Sequence, residues 1–310
     1  MSRPGAPRIL VTGGCGFIGI HAVRALVADG FEVLVVDDLR HACGPGLPGE
    51  ASLVTSELST RAAQRAIRAF RPRQAIHLAA QGGVLRSLRD PATDARANVV
   101  STAALLRTCV DVGVERVLFA SSGGAIYGRA ARLPTAESAT PRPLSPYGAA
   151  KLACEGYLGM FDRTFGLHSL AMRFGNVYGP HQDGTGEAGV VAISSHRLIA
   201  GQPPIVRGDG NQTRDFVYVG DVVEALLAGL AAPAVGSVNI GSGVATAIND
   251  VVSRLIDVSG FDVTPLRVPG TPGEVRRGQL DVERAACLLG WRARTALPAG
   301  LERTFASFLT

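Results

Sequence analysis

The chain has 310 residues, 46% of them apolar and 18% charged, with a net charge of +5. That length supports a full core and two lobes, and that balance excludes a disordered chain. No apolar run approaches a membrane span, and the arginines are scattered without the basic blocks and interleaved aromatics of a nucleic-acid footprint. The expected partner is therefore a small anionic ligand, with no nucleic acid and no membrane.

Cys15, Cys43, Cys109, Cys154 and Cys287 are an odd, scattered set, which argues against a disulfide framework or a zinc site. The histidines show no metal-binding spacing. The N-terminus runs from a short polar leader into a strand-like segment without a signal-peptide pattern. The expected compartment is the reducing cytoplasm.

In chain order, short apolar strands are predicted at 8–12, 32–36, 75–79 and 116–121, with helices at 18–29, 60–70 and 94–112 between them. Strands apolar on both faces that alternate with helices predict an α/β fold, a doubly wound parallel sheet. From about Gly175 glycine and proline become frequent, and short strands at 204–207, 215–218 and 236–240 mix with helices. This predicts a smaller α/β lobe formed from interleaved segments. The first lobe is expected at 1–174 with 213–240 returning to it, and the second at 175–212 and 241–310.

The stretch VTGGCGFIG, residues 11–19, follows the first strand and opens the first helix. Gly13, Gly16 and Gly19 have the spacing that lets backbone approach a pyrophosphate at a helix N-terminus. The next strand ends in Asp37 and Asp38, eighteen residues or so beyond Gly19. A carboxylate there accepts from both adenosine ribose hydroxyls and repels a 2′-phosphate, which favours NAD over NADP; nearby Arg40 weakens that preference.

Lys151 is the only lysine among 31 basic Lys and Arg residues, and it stands four residues after Tyr147. Pro146 marks a helix start, so phenol and ammonium share one face. A tyrosine serves as a base near neutrality only if its pKa falls from about 10; a neighbouring ammonium and a positive nicotinamide ring are expected to supply this. Ser122 is the candidate hydroxyl beside it, with Ser121 second.

Taken as a set, TGGCGFIG, HLAAQ, SSGGAIYG, SPYGAAK, RFGNVYGP, GDGNQTRDFVYVGDVV and PGEVRRGQLD resemble the landmarks of the extended short-chain dehydrogenase/reductases acting on nucleotide sugars, in that family's order and over nearly the whole chain. Within it, the chain is most similar to bacterial 4-epimerases of UDP-glucose and UDP-N-acetylglucosamine. The resemblance implies that Tyr147 is the base, Lys151 orients the nicotinamide ribose and Ser122 holds the sugar 4-oxygen. It implies that Gly13, Gly16, Phe17, Ile18, Gly19, Asp37, Leu58, Leu78, Ala79, Ala80 and Phe174 hold NAD. For the UDP-sugar it implies Val84, Asn176, Val190, Pro204, Ile205, Val206, Arg214 and Glu274. The 1–174 lobe becomes the NAD-binding unit, the other binds the nucleotide sugar, and a homodimer is expected.

Three departures bear on this reading. Gly123 stands where relatives often carry a hydroxyl. Thr271 replaces an arginine that commonly precedes the PGE element. Gly124 and Ala125 occupy the places of the acidic pair that 4,6-dehydratases use, which disfavours dehydration. The expected activity is 4-epimerisation of a UDP-hexose through a transient 4-ketose. Gly278 leaves room for an N-acetyl group. The rivals are UDP-glucuronate epimerisation or decarboxylation, with Arg86 as a carboxylate partner, and a silent NAD-binding sensor or scaffold.

Overall fold

Residues 6–185, 189–270 and 275–309 are described in the structure, a computed structural model. Their strands are β1 (Arg8–Thr12), β2 (Glu32–Asp37), β3 (Ser52–Thr55), β4 (Gln74–His77), β5 (Arg116–Ser122), β6 (His168–Phe174), β7 (Asn176–Tyr178), β8 (Ile205–Arg207), β9 (Thr213–Tyr218), β10 (Gly236–Ile240), β11 (Ala245–Ala247) and β12 (Leu266–Val268).

Seven of these form one sheet in the order β10-β6-β5-β4-β1-β2-β3, with every pairing parallel. This is the doubly wound fold expected from the alternation. β1 to β3 run outward in one direction; the chain then returns and places β4 on the other side of β1. That reversal opens a crevice beyond the carboxyl ends of β1 and β4, where such sheets bind ligands. Ile9, Val11, Val33, Val35 and Ile76 are buried because helices cover both faces. Phe17–Ala28 and Val219–Ala231 pack on one side. Arg61–Phe70, Ser101–Val112 and Pro146–Phe165 pack on the other.

A three-stranded sheet, β11-β9-β7, and a two-stranded one, β12-β8, lie outside the main sheet. They share a third core with the helices Val190–Ile199, Ile248–Ser259 and Leu297–Ser307, centred on Val191, Val251 and Leu301. Strand β9 belongs to this smaller sheet. The return to the large sheet thus begins with the helix at Val219, later than the 213 expected, because β9 pairs with β7 and β11.

The helix Pro146–Phe165 carries Tyr147 and Lys151, and its start is fixed twice. Ser145 caps it, its hydroxyl accepting from the Gly148 N–H at 3.1 Å, and Pro146 occupies the first turn. A Cβ on Gly148 would come within 2.6 Å of the Ala125 carbonyl oxygen. Glycine therefore lets the first turn of this helix press on the turn that follows β5, and Tyr147 is brought beside Ser122.

Candidate active site

Beyond β1, Gly13 has φ +70°, and a Cβ there would sit 2.6 Å from the Ala79 nitrogen. Its N–H donates to the Val36 carbonyl at 3.0 Å. Gly19 lies so close to Gly13 that a Cβ would overlap its carbonyl oxygen at 2.1 Å. The loop is thereby folded tightly against the ends of β2 and β4. The helix Phe17–Ala28 that follows has no side-chain cap and no acid in its first turn, so no side chain offsets the positive end of its dipole. That arrangement fits an anion such as a dinucleotide pyrophosphate.

A cleft of about 440 Å³ extends from this loop. Gly13, Gly16, Asp37, Leu58, Leu78, Ala79 and Ala80 line it, and so do Arg40, His41 and Arg86. Asp37 is buried and accepts from two backbone donors, Cys15 N–H at 2.9 Å and Leu39 N–H at 2.8 Å. It clamps the glycine loop to the end of β2, and its carboxylate keeps further lone pairs at the cleft. Arg40 is ion-paired with Asp38 at 3.6 Å and with Glu57. Arg86 donates to His41 Nε2 at 3.1 Å. It lines the larger cleft.

At the end of β5, Ser122 lies beside the Tyr147 phenol. One turn along the helix, Lys151 is 3% exposed; its ammonium donates to the Ala120 carbonyl at 2.7 Å and lies 4.7 Å from the Phe119 ring centroid and 5.7 Å from that of Tyr147. Burial brings Lys151 down to about 8. Burial, followed by the Asp94 charge, pushes the Tyr147 phenol up to about 12, with Ser122 acting in the opposite direction. Loss of hydration is the leading cause at both groups.

Ser121 is engaged elsewhere. Its hydroxyl donates to Glu155 Oε1 at 2.6 Å, and Glu155 is gripped by Arg173 through Nε at 3.0 Å and Nη2 at 2.6 Å. Arg173 Nη1 donates to the Tyr127 hydroxyl at 2.8 Å, which donates to Asn239 Oδ1 at 2.7 Å. Of the two serines, Ser122 is thus the one at the phenol.

His77 lies under the site, fully buried. Thr102 donates its hydroxyl proton to the Asn98 carbonyl at 2.6 Å, so His77 Nε2 donates to Thr102 at 2.9 Å, and Nδ1 accepts from Thr12 at 2.7 Å. Burial, then Lys151, depresses His77 to about 3, and the ring is neutral. The helix here contains a π turn, Arg96–Val100, where Asn98 ties the backbone N–H and carbonyl of Gln81 through its side chain.

A second, smaller cavity of about 30 Å³ lies beyond Ser122. Gly124, Asn176, Arg214, Arg277 and Gly278 line it. Arg214 Nη1 donates to the Thr213 and Val275 carbonyls at 2.8 and 2.7 Å. A Cβ on Gly124 would lie 3.6 Å from Asn176 Oδ1 and 3.9 Å from Ser122 Oγ, so its absence keeps open the space between those polar groups. Asp215 also borders the cavity, but its carboxylate is taken up by Ser242, Gly243 and Leu280 N–H groups and the Ser242 hydroxyl.

Other expected site residues line neither cavity. Phe174 is buried in the core. Val190 and Val206 pack in the third core, with Pro204 and Ile205 at the adjoining strand. Val84 is 44% exposed at the start of the helix Val84–Arg89. Phe17 and Ile18 open the first helix. Glu274 and Thr271 lie outside the described residues. Arg277, at the smaller cavity, was not anticipated; a second arginine in EVRR is the signal that could have drawn attention to it.

The model of the NAD dependent epimerase/dehydratase family matches residues 9–241. The chain belongs to that family. Among similar members, the UDP-glucose 4-epimerase of Mycolicibacterium smegmatis is 39% identical, over 97% of this chain and 98% of its own. A crystal structure of the Thermotoga maritima UDP-glucose 4-epimerase with UDP-glucose superposes with a TM-score of 0.95 at 40% identity, covering 97% of this chain and 98% of that one. The Thermus thermophilus UDP-glucose 4-epimerase, solved with NAD, gives 0.90 at 38% identity over 97% and 99%. The chain spans these family members essentially end to end, and the match includes both small sheets.

Proposed function

We propose that the protein is an NAD-dependent 4-epimerase of UDP-hexoses. The observation that carries the reading is the grouping of Tyr147 and Lys151 at the end of β5, which carries Ser122, in a protein that has a cleft suited to a dinucleotide and a smaller cavity bearing two arginines. The seven-stranded unit is the NAD-binding part; the segments around the two small sheets hold the nucleotide sugar.

When bound, NAD supplies a hydride acceptor and donor at sugar C4 and a positive ring charge that favours phenolate. The glycine loop and the uncapped helix start receive its diphosphate, Asp37 its adenosine ribose, and Lys151 its nicotinamide ribose. Tyr147 removes the proton from the 4-hydroxyl and returns one to the 4-oxygen after the ketose turns over; Ser122 holds that oxygen. Asn176 and Arg214, joined by Arg277, anchor the UDP while the hexose stays loosely held. Gly278 accommodates an acetamido group, so UDP-N-acetylhexosamines are substrates alongside UDP-hexoses. Gly124 and Ala125 leave no acid at these places for water elimination.

Leu88, Val100 and Tyr157 are exposed on neighbouring helical segments and support a homodimer through that face. The free, dispersed cysteines fit a cytoplasmic location. Among the described residues no helix is long and apolar enough to cross a membrane.

Incubation with a panel of UDP- and TDP-sugars, followed by NMR of the product stereochemistry, tests the proposal. Interconversion of UDP-glucose and UDP-galactose is expected. Products lacking water or carbon dioxide, or inversion only of UDP-glucuronate, would replace it with one of the rivals.

A further inference from the structure

Three segments distant in the chain meet at one imidazole. His181 lies in the turn after β7, with φ +66°. Its ring stacks on that of His21, from the helix Phe17–Ala28, with centroids 5.4 Å apart and planes at 26°. Gly44, from the loop after β2, lies against the same ring: a Cβ there would sit 3.1 Å from the His181 Cγ. His21 Nε2 is 2.9 Å from the Pro180 carbonyl oxygen. A carbonyl only accepts, so Nε2 carries a proton and donates it into that bond. One residue from Gly44, the Cys43 N–H donates to the Cys15 carbonyl of the glycine loop at 2.9 Å. The two rings therefore fasten the turn after β7, which leads toward the helix Val190–Ile199 of the third core, to the helix and loop that flank the glycine turn.

Two neutral rings stack without penalty, whereas two imidazolium ions at that separation repel each other. The charged and titratable groups on the surrounding elements add to the repulsion or are occupied elsewhere. Burial lowers His21 below the ordinary histidine value, with the Pro180 carbonyl opposing and Arg24 of the same helix adding to the fall. Burial, then His21, then Arg24 lower His181. From the loop after β2, the Cys43 thiol is pushed up to about 11 by burial and stays neutral. Asp183, in the same turn as His181, is engaged by the Thr185 N–H at 2.9 Å and hydroxyl at 2.8 Å. From the helix Val219–Ala231, against whose start Gly179 packs, Asp221 is engaged by Thr295 through its N–H and hydroxyl, and Glu224 is exposed.

We infer that the His21–His181 stack is an acid-released clasp. With both rings neutral it holds the turn after β7 against the first helix and the loop after β2; proton uptake by the rings frees that turn. The sign follows from linkage. Both rings lie below the ordinary 6.5 when stacked, so the closed clasp binds fewer protons than the open one. It is fully closed above about pH 6.5 and opens as the pH falls below that value.

Hydrogen exchange of the whole protein, followed by mass spectrometry from about pH 7.5 to about pH 5 and corrected for intrinsic rates, reads the clasp locally. Peptides covering residues 179–185 are expected to lose protection by about tenfold or more across that range, while peptides of β1 and β5 keep theirs. His21→Gln keeps an N–H donor for the Pro180 carbonyl and removes one of the two charges. Its 179–185 peptides should change by less than about threefold. Wild-type protection that stays constant at 179–185, or that falls equally in β1 and β5, overturns the inference. So does a folded His21→Gln protein that responds to pH as the wild type does. Should His21→Gln fail to fold, His181→Asn, whose side chain suits a positive φ, carries the same expectation and the same refutation.

Discussion

Arg173 and Glu155 form an ion pair inside the protein, with Nη2 and Oε2 2.6 Å apart and both side chains almost wholly out of water. The pair joins β6 to the long helix of the site and holds Ser121 at one end and, through Tyr127, Asn239 of β10 at the other. It organises the rear wall of the site without touching the reacting groups. Glu155→Gln strands the guanidinium without a counter-ion, at a cost of about 3–5 kcal/mol. Denaturant unfolding is the measurement. A loss under about 1 kcal/mol would mean the network is dispensable.

The two adjacent serines should separate in kinetics. Ser122→Ala removes the hydroxyl at the phenol and should lower kcat by about 10²-fold or more, whereas Tyr147→Phe should lower it by about 10³-fold or more. Ser121→Ala should lower thermal stability and leave kcat within a few-fold. The opposite ranking would exchange their roles.

Acid should destabilise the fold through His77. Its folded pKa, about 3, lies below the ordinary 6.5, so between those values the unfolded chain binds the extra proton. Stability is fully present above pH 6.5 and falls as pH drops towards 3, with a slope of up to about 1.4 kcal/mol per pH unit from this one group. Chemical denaturation across that range should show a His77→Gln variant with a shallower slope. Equal slopes would contradict the buried, neutral ring.

Asp37 both clamps the loop and faces the cofactor cleft. Asp37→Ala frees the Cys15 and Leu39 N–H groups and should weaken NAD binding by about tenfold or more, as two charge-assisted hydrogen bonds are lost. Isothermal titration of the intact protein with NAD measures it. Unchanged affinity would place the adenosine half elsewhere.

A Cβ at Gly278 would lie 3.4 Å from the Thr213 carbonyl and touch Arg214 only at 3.9 Å, so a side chain is tolerated there. Gly278→Tyr should fill the smaller cavity, reducing turnover of UDP-N-acetylglucosamine by about tenfold or more while sparing UDP-galactose. Unchanged turnover of the acetylated sugar would show that this position does not gate it.

The central sheet could be read in the sequence wherever a strand is buried on both faces, as in ILVT or EVLVV. β3, SLVT, is a short edge strand with exposed residues and carries no such signal. β6, HSLAMRF, begins polar and holds a buried arginine whose partner is 18 residues away, which a local pattern does not reveal. β4 ends at His77, although the apolar run continues, because Leu78 to Ala80 leave the sheet to line the cleft. Apolar character alone does not separate those two uses. The helix expected at 94–112 is interrupted at Asn98 by hydrogen bonds to Gln81, again a long-range cause. Tyr147, Lys151 and the glycine loop were legible because their chemistry depends on local spacing. Asp94, Arg277 and the direction of the tyrosine's shift depend on burial and on neighbours distant in sequence.

The placement of β10 has a consequence for synthesis. The large sheet receives its final strand only after β7, β8 and β9 have emerged, and Asn239 on that strand bonds to the Thr135 and Asp281 carbonyls. A nascent chain therefore exposes an unpaired β6 edge until more than two hundred residues have left the ribosome. Completion of the large sheet is thereby tied to synthesis of the segments that form the two smaller sheets.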